Sequence, residues 1–194
     1  MDKVYRIILK RRSIRRFQQK RIPFALLKRI VNAGRLAPSA ANLQPCEHII
    51  VNHPTLLEKV FSTLKWAGYI APAGNPPEGK KPTAYIIILI DKEINKNGDK
   101  DAAAAIENMI LTALEKGIGS CWIGSIERAK LRQILKIPRK YKIESVLALG
   151  YPDEKSVAEE FKGSIKYWKD KEGVLHVPKK RMESIFRHNL WSEK

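Results

Sequence analysis

Apolar residues recur along this chain with two periods, and the switches between them mark out its elements. Val4, Ile7 and Ile8 fall at i, i+3 and i+4 behind Asp2, which predicts a short capped helix ending near the polar run at Lys10. Pro23 suits the first turn of a second helix, whose stripe of Leu26, Leu27, Ile30, Val31 and Gly34 runs until Pro38 forbids continuation. A loop over Ala37 to Pro45 follows. His48 to Val51, Thr83 to Ile90 and Ser145 to Leu149 are β-branched runs bounded by breakers and are expected as buried strands.

Further helices are expected from Pro54 to about Leu64, from about Asp101 to Lys116 and from Glu127 to Leu135. The middle one is the strongest, with four consecutive alanines, then Ile106, Met109, Ile110, Ala113 and Leu114 at helical spacing before Gly117 stops it. The proline- and glycine-rich stretch from Ala71 to Pro82 has no periodicity and is expected to be a lid or binding loop. From Tyr151 onward the chain is polar with scattered aromatics, a tail that buries little by itself. Helices and a few strands in mixed order, with such a tail, predict an α+β fold completed by a second copy of the chain.

Composition narrows the function. A chain of 194 residues, 44% hydrophobic, can bury one full core, so a single domain over 1–194 is expected. No long uncharged apolar run and no signal-like leader is visible, from which a soluble, cytoplasmic protein without a membrane partner is expected. Cys46 and Cys121 stand far apart with no Cys or His at ligand spacing, and the four histidines show none either, so neither a disulfide framework nor a metal site is expected. No serine elbow and no paired loop carboxylates appear, and an enzyme lacking its own nucleophile, acid and base leans on a cofactor.

Charge adds a second constraint. The formal net charge is +17, and residues 1–35 hold twelve Lys or Arg against the single acid Asp2. An anion is implied as partner, either nucleic acid or a phosphorylated cofactor or nucleotide, beside the plain alternative of a solvated basic surface. Within that cluster Arg11, Arg12, Ser13 and Arg15 combine forked guanidinium donors with a hydroxyl, a set suited to a phosphate monoester. In the proline-bounded loop, Asn42 and Gln44 offer amides that match a ring edge of alternating donors and acceptors, although ordinary turn chemistry looks similar. Gly117 to Gly124 follows a helix and has Trp122 where a dinucleotide fingerprint needs its third glycine, so it is no Rossmann motif. Its glycines still mark close backbone approach or positive φ.

Taken in order, these segments resemble the nitroreductase family. Arg11-Arg12-Ser13-Ile14-Arg15-Arg16-Phe17 is similar to its N-terminal phosphate segment, and Ala37-Pro38-Ser39-Ala40-Ala41-Asn42-Leu43-Gln44-Pro45 to its proline-bounded loop. Asp101 to Leu114, Gly117 to Gly124 and Leu147 to Pro152 are similar to its alanine-rich helix, glycine segment and following strand and turn. The resemblance implies a central mixed or antiparallel sheet flanked by helices in an intertwined homodimer, the tail from about 152 packing on the partner, and FMN between the subunits. Arg11, Arg12, Ser13 and Arg15 would then hold the phosphate and ribityl chain, with Lys180 or Arg181 completing that site. Pro38, Ser39 and Ala40 of the other subunit would meet the isoalloxazine, Asn42 and Gln44 its polar edge, and Ile123 and Gly124 its N5.

The implied activity is ping-pong transfer from NADH or NADPH to a small acceptor, a nitroaromatic, quinone or flavin, with no catalytic side chain. The basic balance tilts the donor slightly toward NADPH. Specialised members that dehalogenate, fragment flavin or dehydrogenate heterocycles share these motifs, and a basic nucleic-acid-binding module is the rival from another class. Ala40, Ala41 and Cys46 depart from the family's usual hydroxyl and aromatic residues, which points to fewer flavin hydrogen bonds and an altered acceptor pocket.

Overall fold

A computed structural model describes residues 2–191. Five helices and eight strands alternate in the order α1 (Lys3–Lys10), β1 (Phe17–Gln18), α2 (Phe24–Arg35), β2 (Cys46–Val51), α3 (Pro54–Phe61), β3 (Ala84–Asp91), α4 (Asp99–Glu115), β4 (Gly119–Ile123), α5 (Arg128–Leu135), β5 (Tyr141–Pro152), β6 (Ser156–Glu160), β7 (Trp168–Lys169) and β8 (Leu175–Lys179).

The main sheet is antiparallel throughout, ordered β1-β5-β3-β2 with β4 also on β5. Its centre is β3, in which every residue is buried, as a continuous isoleucine-rich run requires when both faces are covered. The strand period divides that run between two cores. Ile86, Ile88 and Ile90 face α2 and α4 with Leu147 and Leu149, whereas Tyr85, Ile87 and Leu89 pack with Val146, Ala148, Val60 of α3 and Leu131 of α5.

Three elements differ from the expectation. Gly119–Ile123 is a strand, its partners being Val146 to Gly150 of β5. β5 begins at Tyr141, four residues before the apolar run, because its polar start pairs with Leu89 to Asp91. The tail is folded on itself: β6, β8 and β7 form a separate three-stranded sheet, β6 parallel and β7 antiparallel to β8. It is held partly by His176, whose Nδ1 and Nε2 lie 3.0 and 2.9 Å from Glu159 and Asp170 while its ring stacks on Trp168. Among the described residues no helix is long and apolar enough to cross a membrane.

Candidate functional site

After α1 the chain runs extended along β4. Ile14 N–H donates to the Ser120 carbonyl at 2.9 Å, and Ser13 bridges Ser120. Gly119 permits this approach, since a Cβ there would stand 3.0 Å from three side-chain carbons of Ile14. The donors of this segment are shared between two clefts, with Arg11 at both. Arg11 and Ser13 line an open cleft of about 390 Å³ together with Glu107, Ile110, Ser120 and Trp122. Arg12 bounds a neighbouring cleft with Lys10 and Ile14, its guanidinium donating to the Leu9 and Arg11 carbonyls.

Positive charge in this segment is poorly neutralised. Arg11 Nε is 3.9 Å from Glu107, and burial, then the Arg11 charge, disfavours the Arg12 cation. Arg12 Nε and Arg15 Nε are buried with no hydrogen-bond partner. A buried guanidinium N–H without an acceptor costs about 1–3 kcal/mol, more where it is charged, so an anion brought to these groups is favoured. These observations fit a phosphorylated cofactor.

The proline-bounded loop is a strained turn. Ala41, Asn42 and Gln44 all have positive φ, of 48, 55 and 52°, a region that a non-glycine residue enters at a cost unless its surroundings hold it. Asp101 of α4 holds it by accepting from Ala40 N–H at 3.1 Å, and Ser39 Oγ accepts from Gln44 N–H at 3.0 Å. Gln44 Nε2 donates to the Asn42 carbonyl at 3.2 Å. Pro38, Ser39 and Gln44 line a second cleft of about 390 Å³ with Cys46, His48 and Asp101; Ala40 and Asn42 stand outside its lining. Asp101 is only 8% exposed, and its Oδ2, like His48 Nδ1, is buried without a partner. Burial, then the Asp101 and Glu144 charges, pushes the Cys46 thiol up to about 11, while burial holds His48 below the usual histidine value. Both groups are therefore uncharged at neutral pH.

Ile123 ends β4 and Gly124 follows it. The Ile123 side chain is buried, which leaves only its backbone for a ligand. Gly124 has neither positive φ nor a neighbour within 4 Å of an added Cβ, so nothing in its own chain demands glycine there. Trp122, 42% exposed, turns the other way into the cleft of Arg11 and Ser13. The two clefts lie along one helix, one at Asp101 and Ala105 and the other at Glu107 and Ile110. Lys180 and Arg181 follow β8 on the surface. Arg181 pairs with Glu160, and among the described residues no hydrogen bond or ion pair joins either to Arg11–Arg15.

Sequence reasoning missed Asp101, Glu107, Ser120 and Trp122 as site residues. Ser120 and Trp122 were within reach had β4 been read as a strand, since alternate residues share a face. Among the described residues no group of His, Cys, Asp or Glu is placed to hold a metal.

A profile of the Nitroreductase family matches residues 8–151. A provisionally named NADH dehydrogenase/NAD(P)H nitroreductase of Archaeoglobus fulgidus is 33% identical over 168 residues, 82% of this chain and 91% of that one. An FMN-dependent nitroreductase of Clostridium difficile R20291 superposes with a TM-score of 0.70 at 28% identity, covering 95% of this chain and 98% of its own. A provisionally named nitroreductase of Desulfovibrio desulfuricans, solved in complex with FMN, gives 0.67 at 25% identity over 79% and 88% of the two chains. With the profile running through the arginine segment, the strained loop and the glycine-bounded β4, this chain belongs to the nitroreductase family of oxidoreductases.

Proposed function

We propose that the chain binds FMN as a homodimer and passes reducing equivalents from NADH or NADPH to a small acceptor of the nitroaromatic, quinone or flavin class. The observation that carries this reading is the pair of buried, unpartnered guanidinium N–H groups at Arg12 and Arg15, in a segment with an excess of positive charge. The FMN named for the Clostridium and Desulfovibrio relatives supplies the anion that such a segment accepts.

FMN, when bound, would supply the hydride-accepting and hydride-donating chemistry of a ping-pong exchange, and Arg11, Arg12, Ser13 and Arg15 would hold it. The protein's contribution is positioning and electrostatic support. Arg11, Arg12, Ser13 and Arg15 hold the phosphate and ribityl chain, with Lys180 or Arg181 brought up as a further cation. Pro38, Ser39 and Ala40 of a second copy lie against the isoalloxazine, and Asn42 and Gln44 serve its polar edge. The open Cβ direction of Gly124 lets the backbone of Ile123 and Gly124 reach the ring near N5. Cys46 and His48, both uncharged at neutral pH, add no fixed charge to the second cleft.

Two observations support the homodimer. None of the eight residues of α1 is buried, although Val4, Tyr5, Ile8 and Leu9 are apolar, and Ile185, Phe186, Leu190 and Trp191 of the tail are likewise exposed. So much exposed apolar surface marks an interface. The nucleic-acid reading accounts for the basic N-terminus and leaves both clefts and the strained loop without a purpose.

The test is an anaerobic absorbance titration with FMN, followed by NADH or NADPH, alongside sedimentation of the same sample. Flavin bands that bleach with a nicotinamide, in a particle of twice the chain mass, are expected. A chain that takes up no FMN, or a monomer that binds it fully, overturns the respective half of the reading.

A further inference from the structure

Arg15 is held differently from its neighbours. Its backbone N–H donates to Glu154 Oε1 at 2.6 Å, across 139 residues of sequence. The Glu154 side chain, just past β5, is 4% exposed, and its other oxygen receives Lys169 Nζ of β7 at 3.0 Å. The Arg15 guanidinium carbon lies 5.0 Å from the ring centre of Tyr167, two residues before that lysine, and Tyr167 in turn stands 5.0 Å from Tyr69 and packs on the core. Leu175 N–H of β8 donates to the Lys155 carbonyl at 2.9 Å, so the chain on either side of Glu154 is tied to both structures.

A buried carboxylate that accepts from both the Arg15 N–H and Lys169 Nζ is a joint between them. One arm sets where the arginine segment starts its guanidinium; the other ends in the C-terminal sheet. We propose that Glu154 is a positioning residue for the cofactor segment, fixing Arg15 through its backbone and linking occupancy of the anion site to the order of residues 156–179. The link is reciprocal by necessity: whatever binds Arg15 in its held position tightens the sheet, and whatever loosens the sheet weakens that binding. The proposal rests on the FMN reading above. It goes beyond that reading because Glu154 lies outside every segment proposed there to hold the cofactor.

The experiment uses the full chain as wild type, E154A and E154Q. FMN affinity is read from quenching of flavin fluorescence, and hydrogen exchange of peptides within 156–179 is followed with and without FMN. In the wild type FMN slows that exchange. E154A leaves the Arg15 N–H without its acceptor, so FMN binds about tenfold more weakly and no longer protects the sheet. E154Q keeps an oxygen for Arg15 but turns an amide N–H₂ toward Lys169, so affinity stays within about threefold of wild type while protection is lost. A merely structural role would lower the melting temperature without separating affinity from protection. E154A binding FMN as tightly as wild type, or E154Q retaining full protection, overturns the proposal; if E154A does not fold, E154Q decides alone. A wild type that takes up no FMN overturns the cofactor reading, and this proposal with it.

Discussion

Gly119, which opens β4, and Gly124, which follows it, make opposite predictions, although both become alanine. At Gly119 the new methyl would sit 3.0 Å from Cβ, Cγ1 and Cγ2 of Ile14, and the Ile14 N–H bond to Ser120 prevents the segment from sliding away. Overpacking of this kind costs about 1–3 kcal/mol. In a chain of this length each kcal/mol lowers the melting temperature by about 2–4 °C. At Gly124 the methyl meets nothing within 4 Å and φ is not positive, so stability should change by less than about 0.5 kcal/mol. If FMN approaches that backbone as proposed, the same methyl intrudes on its contact surface. A similar cost of about 1–3 kcal/mol is a roughly 5- to 150-fold rise in Kd. Differential scanning calorimetry of the apoprotein and an FMN titration separate the two effects. Gly119→Ala should melt early, and Gly124→Ala should melt as wild type yet bind poorly. Unchanged FMN affinity in Gly124→Ala would refute the placement of the ring at the end of β4, and unchanged melting in Gly119→Ala would refute the wedge at Ile14.

Hydrogen bonds to Asp170 and then Glu159 raise the His176 pKa above its ordinary 6.5. The raised value means that its contribution to the C-terminal sheet is complete below about pH 6.5 and is lost as pH rises through the folded value, so Trp168 fluorescence should report loosening on the alkaline side. His176→Gln should remove that transition; a pH-independent signal in the wild type counts against the clamp. With the Cys46 thiol pushed up to about 11 and Cys121 buried, only about one Cys46 in a thousand is thiolate at pH 8. Ellman's reagent should therefore find no fast thiol in the native chain and two after denaturation, and a rapid native equivalent would show that the burial is wrong. Asp101→Ala removes the acceptor for Ala40 N–H and should cost about 1 kcal/mol, whereas Asp101→Asn keeps an oxygen and supplies a donor, so chemical denaturation should rank Asn close to wild type.

How far the fold could be read depended on how local each element's cause was. The helix α4 and the strand β3 carry their reasons in their own residues, an alanine-rich amphipathic period in one and an unbroken isoleucine run in the other. The strand β4 does not: two of its neighbouring positions are glycine, its residues alternate Ser, Cys and Trp, and only pairing with Val146 to Gly150 makes it a strand. The same holds for β6 to β8, where Val157, Trp168 and Leu175 give no period and the sheet depends on cross-strand bonds and the His176 cluster. The end of α3 was set by a side chain rather than by the apolar pattern. The Thr63 hydroxyl donates to the Val60 carbonyl at 2.7 Å and Leu64 is already bridged to Ile126, so the helix stops at Phe61.

The site divides along the same line. Glycine for close approach was legible and is seen at Gly119, while guanidinium groups for an anion and amides for a ring edge stand as proposals drawn from residue type. Directions were not, because Ser13 lines one cleft, Arg12 its neighbour and Arg11 both. Nor was the strain at Ala41 and Gln44, since neither residue favours positive φ and only Asn42 hints at it. Each segment is tied down in part by a distant carboxylate, Asp101 for the loop and Glu154 for the arginines, 61 and 139 residues from the N–H groups they accept from. In sequence an acid in the first turn of a helix, as Asp101 is beside Asp99, reads as a favourable charge on the dipole, and one after a strand, as Glu154 is beside Asp153, reads as solvated. Burial alone turns such an acid into a tether, and burial is a property of the assembled fold. The residues proposed to bind were therefore nameable before the structure, and the carboxylates that tie down their segments became visible only with it.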